Sequence, residues 1–113
     1  MTNESKSVQF ATMTILHAGN ARKLIADAYA ELCDFNFDNA RQKIKEAKEE
    51  ALFAHREQSK IIKTESQGDT LEFSLLLTHA QDTLMSAVSE MYIAKNMIKL
   101  VERLHSEIHE AKP

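Results

Sequence analysis

Two glycines and one proline in 113 residues leave this chain few places to reverse direction. Every tight turn between strands calls for a residue that tolerates positive φ or fixes it, so a sheet would need far more punctuation. The residues that fill the chain instead, Ala, Glu, Lys, Leu and Met, are the strong helix formers. An all-α fold follows. At this length the chain is a single domain, residues 1–113, and its 43% hydrophobic content is enough to build a core.

Charge and cysteine content exclude several classes. Lys and Arg number 14 against 17 Asp and Glu, a net charge of −3. A nucleic-acid surface normally shows a clustered basic excess, so no nucleic-acid partner is expected. The single cysteine, Cys33, rules out an internal disulfide and fits a reducing, cytoplasmic setting. The polar start MTNESKSVQF has no signal-peptide pattern, and no apolar run reaches the roughly 18 residues of a membrane span.

Periodicity places three helices, at about 7–33, 37–66 and 70–110. The first carries Phe10, Met13, Ile15, Leu16, Leu24, Ile25, Ala28 and Leu32, with Ser5 or Ser7 as its cap, and stops at Asp34-Phe35-Asn36. Asn36 then caps a helix from Phe37 whose seam is Phe37, Ala40, Ile44, Ala47, Ala51, Leu52, Ala54, Ile61 and Ile62. Gly68 suits a helix stop, and Asp69 with Glu72 resembles a capping box for the third helix. Short links between long amphipathic helices make an antiparallel three-helix bundle.

The third helix has two apolar faces. Leu77, Leu84, Met91 and Ile98, beside Ala80, Ala87, Ala94, Val101 and Ile108, repeat every seven residues and form the packing seam. Leu75, His79, Asp82, Ser86, Ser89, Ile93 and Leu100 gather on another side and should face out of an isolated subunit. An outward apolar stripe points to self-association, which would bring copies of Asp82 together and call for a cation. The alternative is an ordinary surface carboxylate, with Leu75, Ile93 and Leu100 at the ragged edge of one core. Among the other histidines, His17 and His55 form no pattern with His79, and His105 and His109 read as solvated near the C-terminus. Cys33 reads as a buried, inert thiol.

The stretch Ser74-Leu75-Leu76-Leu77-Thr78-His79-Ala80-Gln81-Asp82-Thr83-Leu84-Met85 resembles the signature of the lactose/cellobiose-type enzyme IIA component of the bacterial phosphoenolpyruvate-dependent sugar phosphotransferase system. Ala18-Gly19-Asn20-Ala21-Arg22, Ala54-His55 with Gln58, and Gln67-Gly68 match the family in the same order, so the likeness spans about residues 8–105. It implies a homotrimer of three-helix subunits in which His79 is phosphorylated. It also implies that Asp82 holds a metal on the threefold axis, with Mg2+ the expected ion. The implied donor is the histidine-containing phosphocarrier protein, and the acceptor is a cysteine of the IIB component. The membrane is reached only indirectly, through the IIC transporter, during uptake of a β-linked disaccharide of the cellobiose, chitobiose or lactose type.

Two positions stand apart. Thr83 occupies a place where the family commonly has a second histidine, and its hydroxyl is a candidate to orient His79. Gln81 belongs to the motif but points away from His79 on its own helix, so it could reach a phosphohistidine only in a neighbouring subunit. Imidazole suits a phosphoryl carrier because it is largely neutral near cytoplasmic pH and forms a labile phosphoramidate. The competing classes are a non-enzymatic helical interaction module and a histidine phosphotransfer domain of a signalling relay, which is usually built on four helices.

Overall fold

The computed structural model describes residues 3–66 and 75–110 as three helices: α1 (Asn3–Cys33), α2 (Phe37–Ser66) and α3 (Leu75–Glu110). The expected Gly68 stop, the Asp69–Glu72 cap and the start of α3 lie outside the described residues. Contacts between α1 and α2 (His17 to Glu50) and between α2 and α3 (Arg41 to Glu102, Gln58 to Gln81) run in opposite residue order. Those between α1 and α3 (Arg22 to Glu90, Phe35 to His105) run in the same order. The bundle is therefore up-down-up, a rod 69 Å long and under 20 Å across.

Alanine sets the packing. Ala18, Ala21 and Ala28 of α1 meet Ala40, Ala47, Ala51 and Ala54 of α2 and Ala87 and Ala94 of α3, all buried. Small side chains on facing ridges let helix axes approach toward the short end of the usual 8–10 Å range. Ile25, Leu32, Ile44, Leu84, Met91 and Ile98 fill the space between. A second cluster, Ala11, Ile61 and Ala80 with Phe10, Ile15, Leu76 and Leu77, closes the end of the bundle that holds His79.

The seam of α1 departs from the sequence expectation. Ser7, Ala11, Thr14, Ala18, Ala21, Ile25, Ala28 and Leu32 face the core, whereas Met13 and Leu16 are exposed. Ser7 is thus a seam residue inside a helix that begins earlier, not a cap. Thr14 is fully buried and satisfies its hydroxyl by donating to the Phe10 carbonyl at 2.8 Å. Leu52 and Ile62, placed on the seam by the pattern, are also exposed, because their neighbours Ala51 and Ile61 take the inward positions, and Ile108 is exposed because a strict seven-residue repeat drifts around a straight helix over several turns. Cys33 is exposed as well, a correction to the buried thiol, since α1 ends at that residue and its last turn leaves the core.

The α1–α2 turn is built without glycine. Asn36 N–H donates to the Glu31 carbonyl and Phe35 N–H to the Leu32 carbonyl, both at 3.0 Å, the paired bonds of a Schellman motif. Phe35 takes the left-handed position at φ 60°. Its ring lies 4.5 Å from that of His105 and 6.2 Å from Phe37, so aromatic packing offsets the backbone cost. His105 in turn contacts the His109 ring at 4.2 Å, and their Nε2 atoms are 3.0 Å apart. His105 is half-buried in this cluster rather than simply solvated. Asn36 stands at the N-cap of α2, its carbonyl accepting from Ala40 N–H, while its side-chain amide donates to Glu31 Oε2.

Candidate functional site

His79 sits one turn into the described part of α3, on a helix held to the core by Ala80 on one side of it and Leu76 and Leu77 on the other. Burial of Ala80, one residue on, turns the imidazole outward, and His79 is exposed. Its ring has no hydrogen-bond partner among the described residues, so both ring nitrogens stand open to an incoming group.

Two concave surfaces share His79. One, of about 470 Å³, is lined by Leu75, Leu76, Thr78, His79 and Asp82, all on α3. The other, of about 580 Å³, lies between α1 and α3 and is lined by Ile15, Gly19, Arg22, Lys23, Ala26, His79, Thr83 and Glu90. Sequence periodicity could find the first surface, because its residues share one helix. The second depends on how α1 docks against α3. Gly19 and Arg22 belong to the Ala18–Arg22 segment that carried the likeness without a role, and the fold sets them in one groove with the histidine.

Arg22 is positioned in this groove by Glu90, whose Oε1 accepts from Nε at 2.9 Å and lies 2.7 Å from Nη2. A guanidinium held by one carboxylate retains free N–H groups for a second anion. At Gly19 an added Cβ would meet nothing within 4 Å. The fold of one chain therefore does not require glycine there, and the missing side chain leaves that wall of the groove open.

Thr83 does not orient the imidazole as the sequence had allowed. Its Oγ1 donates to the His79 backbone carbonyl at 2.8 Å, bonding back along its own helix. Gln81 is likewise engaged elsewhere: its Oε1 accepts from Gln58 Nε2 on α2 at 2.5 Å. Two segments of the motif are thus tied to each other across the α2–α3 contact. Gln58 Oε1 is buried at the same place without a hydrogen-bond partner among the described residues.

The outward stripe of α3 is real and longer than the sequence indicated. Leu75, Ile93 and Leu100 are 82%, 57% and 52% exposed, and Met97 and Leu104 extend the same line. Asp82 lies within the stripe and is exposed. One chain contributes one carboxylate here; no group of three or more His, Cys, Asp or Glu able to hold a metal occurs among the described residues. A carboxylate is the donor type that a hard cation accepts, and Asp82 supplies one such group per chain. His17, by contrast, is paired with Glu50 at 2.6 Å and stacked on Phe53, and His55 is exposed away from the two surfaces.

Residues 9–102 match the family model described as "PTS system, Lactose/Cellobiose specific IIA subunit". The chain is 36% identical over 104 residues to the lichenan-specific phosphotransferase enzyme IIA component of Bacillus subtilis, covering 92% of this chain and 93% of that one. It is 37% identical over 100 residues to the oligo-beta-mannoside-specific EIIA component of the same organism, covering 88% and 87%. The crystal structure of the cellobiose-specific enzyme IIA from Bacillus anthracis superposes with a TM-score of 0.85 at 33% identity, covering 94% of each chain. That of PtcA from S. mutans gives 0.83 at 31% identity, covering 90% of this chain and 99% of PtcA. With this exposed histidine on this bundle, and with similarity along nearly its whole length, the chain belongs to the lactose/cellobiose-specific IIA family of the sugar phosphotransferase system.

Proposed function

We propose that the chain carries a phosphoryl group on His79, taking it from the histidine-containing phosphocarrier protein and giving it to a cysteine of a IIB component. The supporting observation is the placement of His79: an imidazole without a hydrogen-bond partner among the described residues, opening on two concave surfaces and bordered by Leu75 and Leu76. Such a site admits a protein partner more readily than it encloses a small substrate.

In the first step a ring nitrogen of His79 attacks the phosphorus of the donor phosphohistidine in line, and the donor P–N bond breaks as the new one forms. In the second, the IIB thiolate sulfur attacks the same phosphorus and the His79 P–N bond breaks. The contribution of this chain is positioning and charge. Arg22, held by Glu90, and Lys23 supply the positive charge of the groove that His79 shares.

The functional unit is a homotrimer closed through the Leu75–Leu104 stripe, because an exposed apolar line of that length calls for a cover. Asp82 of each subunit then meets at the axis, and Mg2+ would be held there by Asp82 alone, neutralising clustered charge. The protein works in the cytoplasm and reaches the membrane only through IIB and the IIC transporter; no described helix is long and apolar enough to cross a bilayer. Similar IIA components are named for lichenan, oligo-beta-mannoside, lactose and cellobiose, which supports a β-linked disaccharide as the cargo. Membership in the family and a bundle of three described helices weigh against the interaction-module and four-helix relay readings.

A two-stage relay tests this reading. The chain is charged by phosphoenolpyruvate and the general phosphotransferase proteins, separated from them, and mixed with a cellobiose-type IIB component alone. Transfer of the phosphoryl group to IIB cysteine is the expected result, and a chain that cannot be charged, or a charged chain inert toward every IIB of this class, overturns it.

A further inference from the structure

On a chain of net charge −3, four lysines converge on one groove. Lys45 and Lys48 stand on the α2 bank and Lys95 and Lys99 on the α3 bank, all exposed. None of the four has a carboxylate partner among the described residues. Arg41, at one end, is already held by Asp38 at 2.6 Å and Glu102 at 2.9 Å and so is not part of the uncompensated charge. The groove, of about 260 Å³, has an apolar floor of Ile44, Met91 and Ile98.

The shape and charge of this trough select its occupant. Lys45 to Lys48 spans about 4.5 Å along the helix and Lys95 to Lys99 about 6 Å, so positive charge runs lengthwise on both banks. A linear anion with one charged end would leave most of these ammonium groups unanswered. An amphipathic helix answers them all: its apolar ridge lies against the floor and the lysine methylene stems, and Asp or Glu flanking that ridge pairs with each bank. The trough also lies roughly 120–160° around α3 from the Leu75–Leu104 stripe, so it stays open when subunits close through that stripe. Lys95 is about 24 Å along the helix from His79, which separates the trough from phosphoryl transfer.

We infer that the α2–α3 trough is a docking site for an acidic amphipathic helix of a partner protein, distinct from the His79 surfaces. The probe is a synthetic helical peptide with Leu at positions i, i+3, i+4 and i+7 and Glu on both flanks, titrated into the full-length isotope-labelled protein and followed by amide NMR. Shifts should cluster at 41–48 and 91–99, and affinity should fall at least about tenfold between low and physiological salt. The K45E/K99E double variant should lose at least about tenfold in affinity while its helix content and charging at His79 are unchanged. Three results would overturn the inference: shifts elsewhere or none, equal binding of a scrambled peptide of the same composition, or anionic phosphatidylglycerol vesicles shifting the same amides while the peptide does not.

Discussion

The hydroxyl of Thr83 donates to the backbone carbonyl of His79 at 2.8 Å, so the residue one turn past the histidine commits its hydrogen to its own helix rather than to the imidazole. Thr83→Ala should therefore change the rate of phosphoryl acceptance by less than about twofold, since a back-bonded hydroxyl contributes little net stability. Rapid-quench measurement of charging by the phosphocarrier protein checks this. A tenfold loss would restore an orienting role for the hydroxyl.

Gly19 offers a test that separates fold from function. An added methyl meets nothing within 4 Å, and alanine is favoured over glycine in a helix interior by roughly 0.8–1 kcal/mol. Gly19→Ala should raise the thermal midpoint. Because the methyl would project into the groove shared with His79 and Arg22, it should also slow transfer to or from a protein partner. Denaturation and relay assays on the same sample measure both.

At the α1–α2 turn, Phe35 adopts φ 60° and packs its ring at a tilt against His105. Phe35→Ala removes the ring yet keeps a side chain in the left-handed position, whereas Phe35→Gly removes the ring and relieves the backbone. The glycine variant should be the more stable of the two by about 1 kcal/mol, with both less stable than the parent. Urea titration gives the order; equal stability would mean that the turn stores no backbone cost.

Asp82 tests the assembly. If copies of this carboxylate meet on an axis, Asp82→Leu removes repulsion and the requirement for a cation, and the trimer should persist in chelator. Asp82→Lys should dissociate it. Light scattering with and without magnesium reads the outcome, and a wild-type protein that is monomeric at every concentration in both conditions contradicts the trimer.

How far the sequence led depended on where information was stored. The α3 seam was legible because Leu84, Met91 and Ile98 alternate with Ala80, Ala87 and Ala94 at heptad spacing, and all six are buried. The second half of the α1 seam was legible too, in the buried Ile25, Ala28 and Leu32, but the first half was not, because Ala11, Thr14, Ala18 and Ala21 hold it. A reading weighted by hydrophobicity passes over such small residues and picks Met13 and Leu16, which face solvent. Close helix approach rewards small volume, a property that periodicity of large apolar residues does not register.

The site divides in the same way. His79, Asp82 and the apolar stripe share α3, so helical geometry alone brought them together; Met97 and Leu104 on that line were nevertheless missed. Arg22, Gly19 and Glu90 come to His79 only through the docking of α1 on α3, and the Gln58–Gln81 bond only through α2. Those relations live in the tertiary packing; the likeness between segments marked Gly19, Arg22, Gln58 and Gln81 without giving their partners, and did not mark Glu90.

The measurement that bears most directly on the account is site-resolved mass spectrometry of the protein after incubation with phosphoenolpyruvate and the general phosphotransferase proteins, for the parent chain and for His79→Gln. One phosphoryl group per chain is expected on His79, stable in base and lost in acid as a phosphoramidate must be, with His17, His55, His105 and His109 unlabelled. His79→Gln should carry no label while keeping its helix content. An undiminished label on that variant, or a label that survives acid, would contradict the assignment of His79 as the phosphoryl carrier.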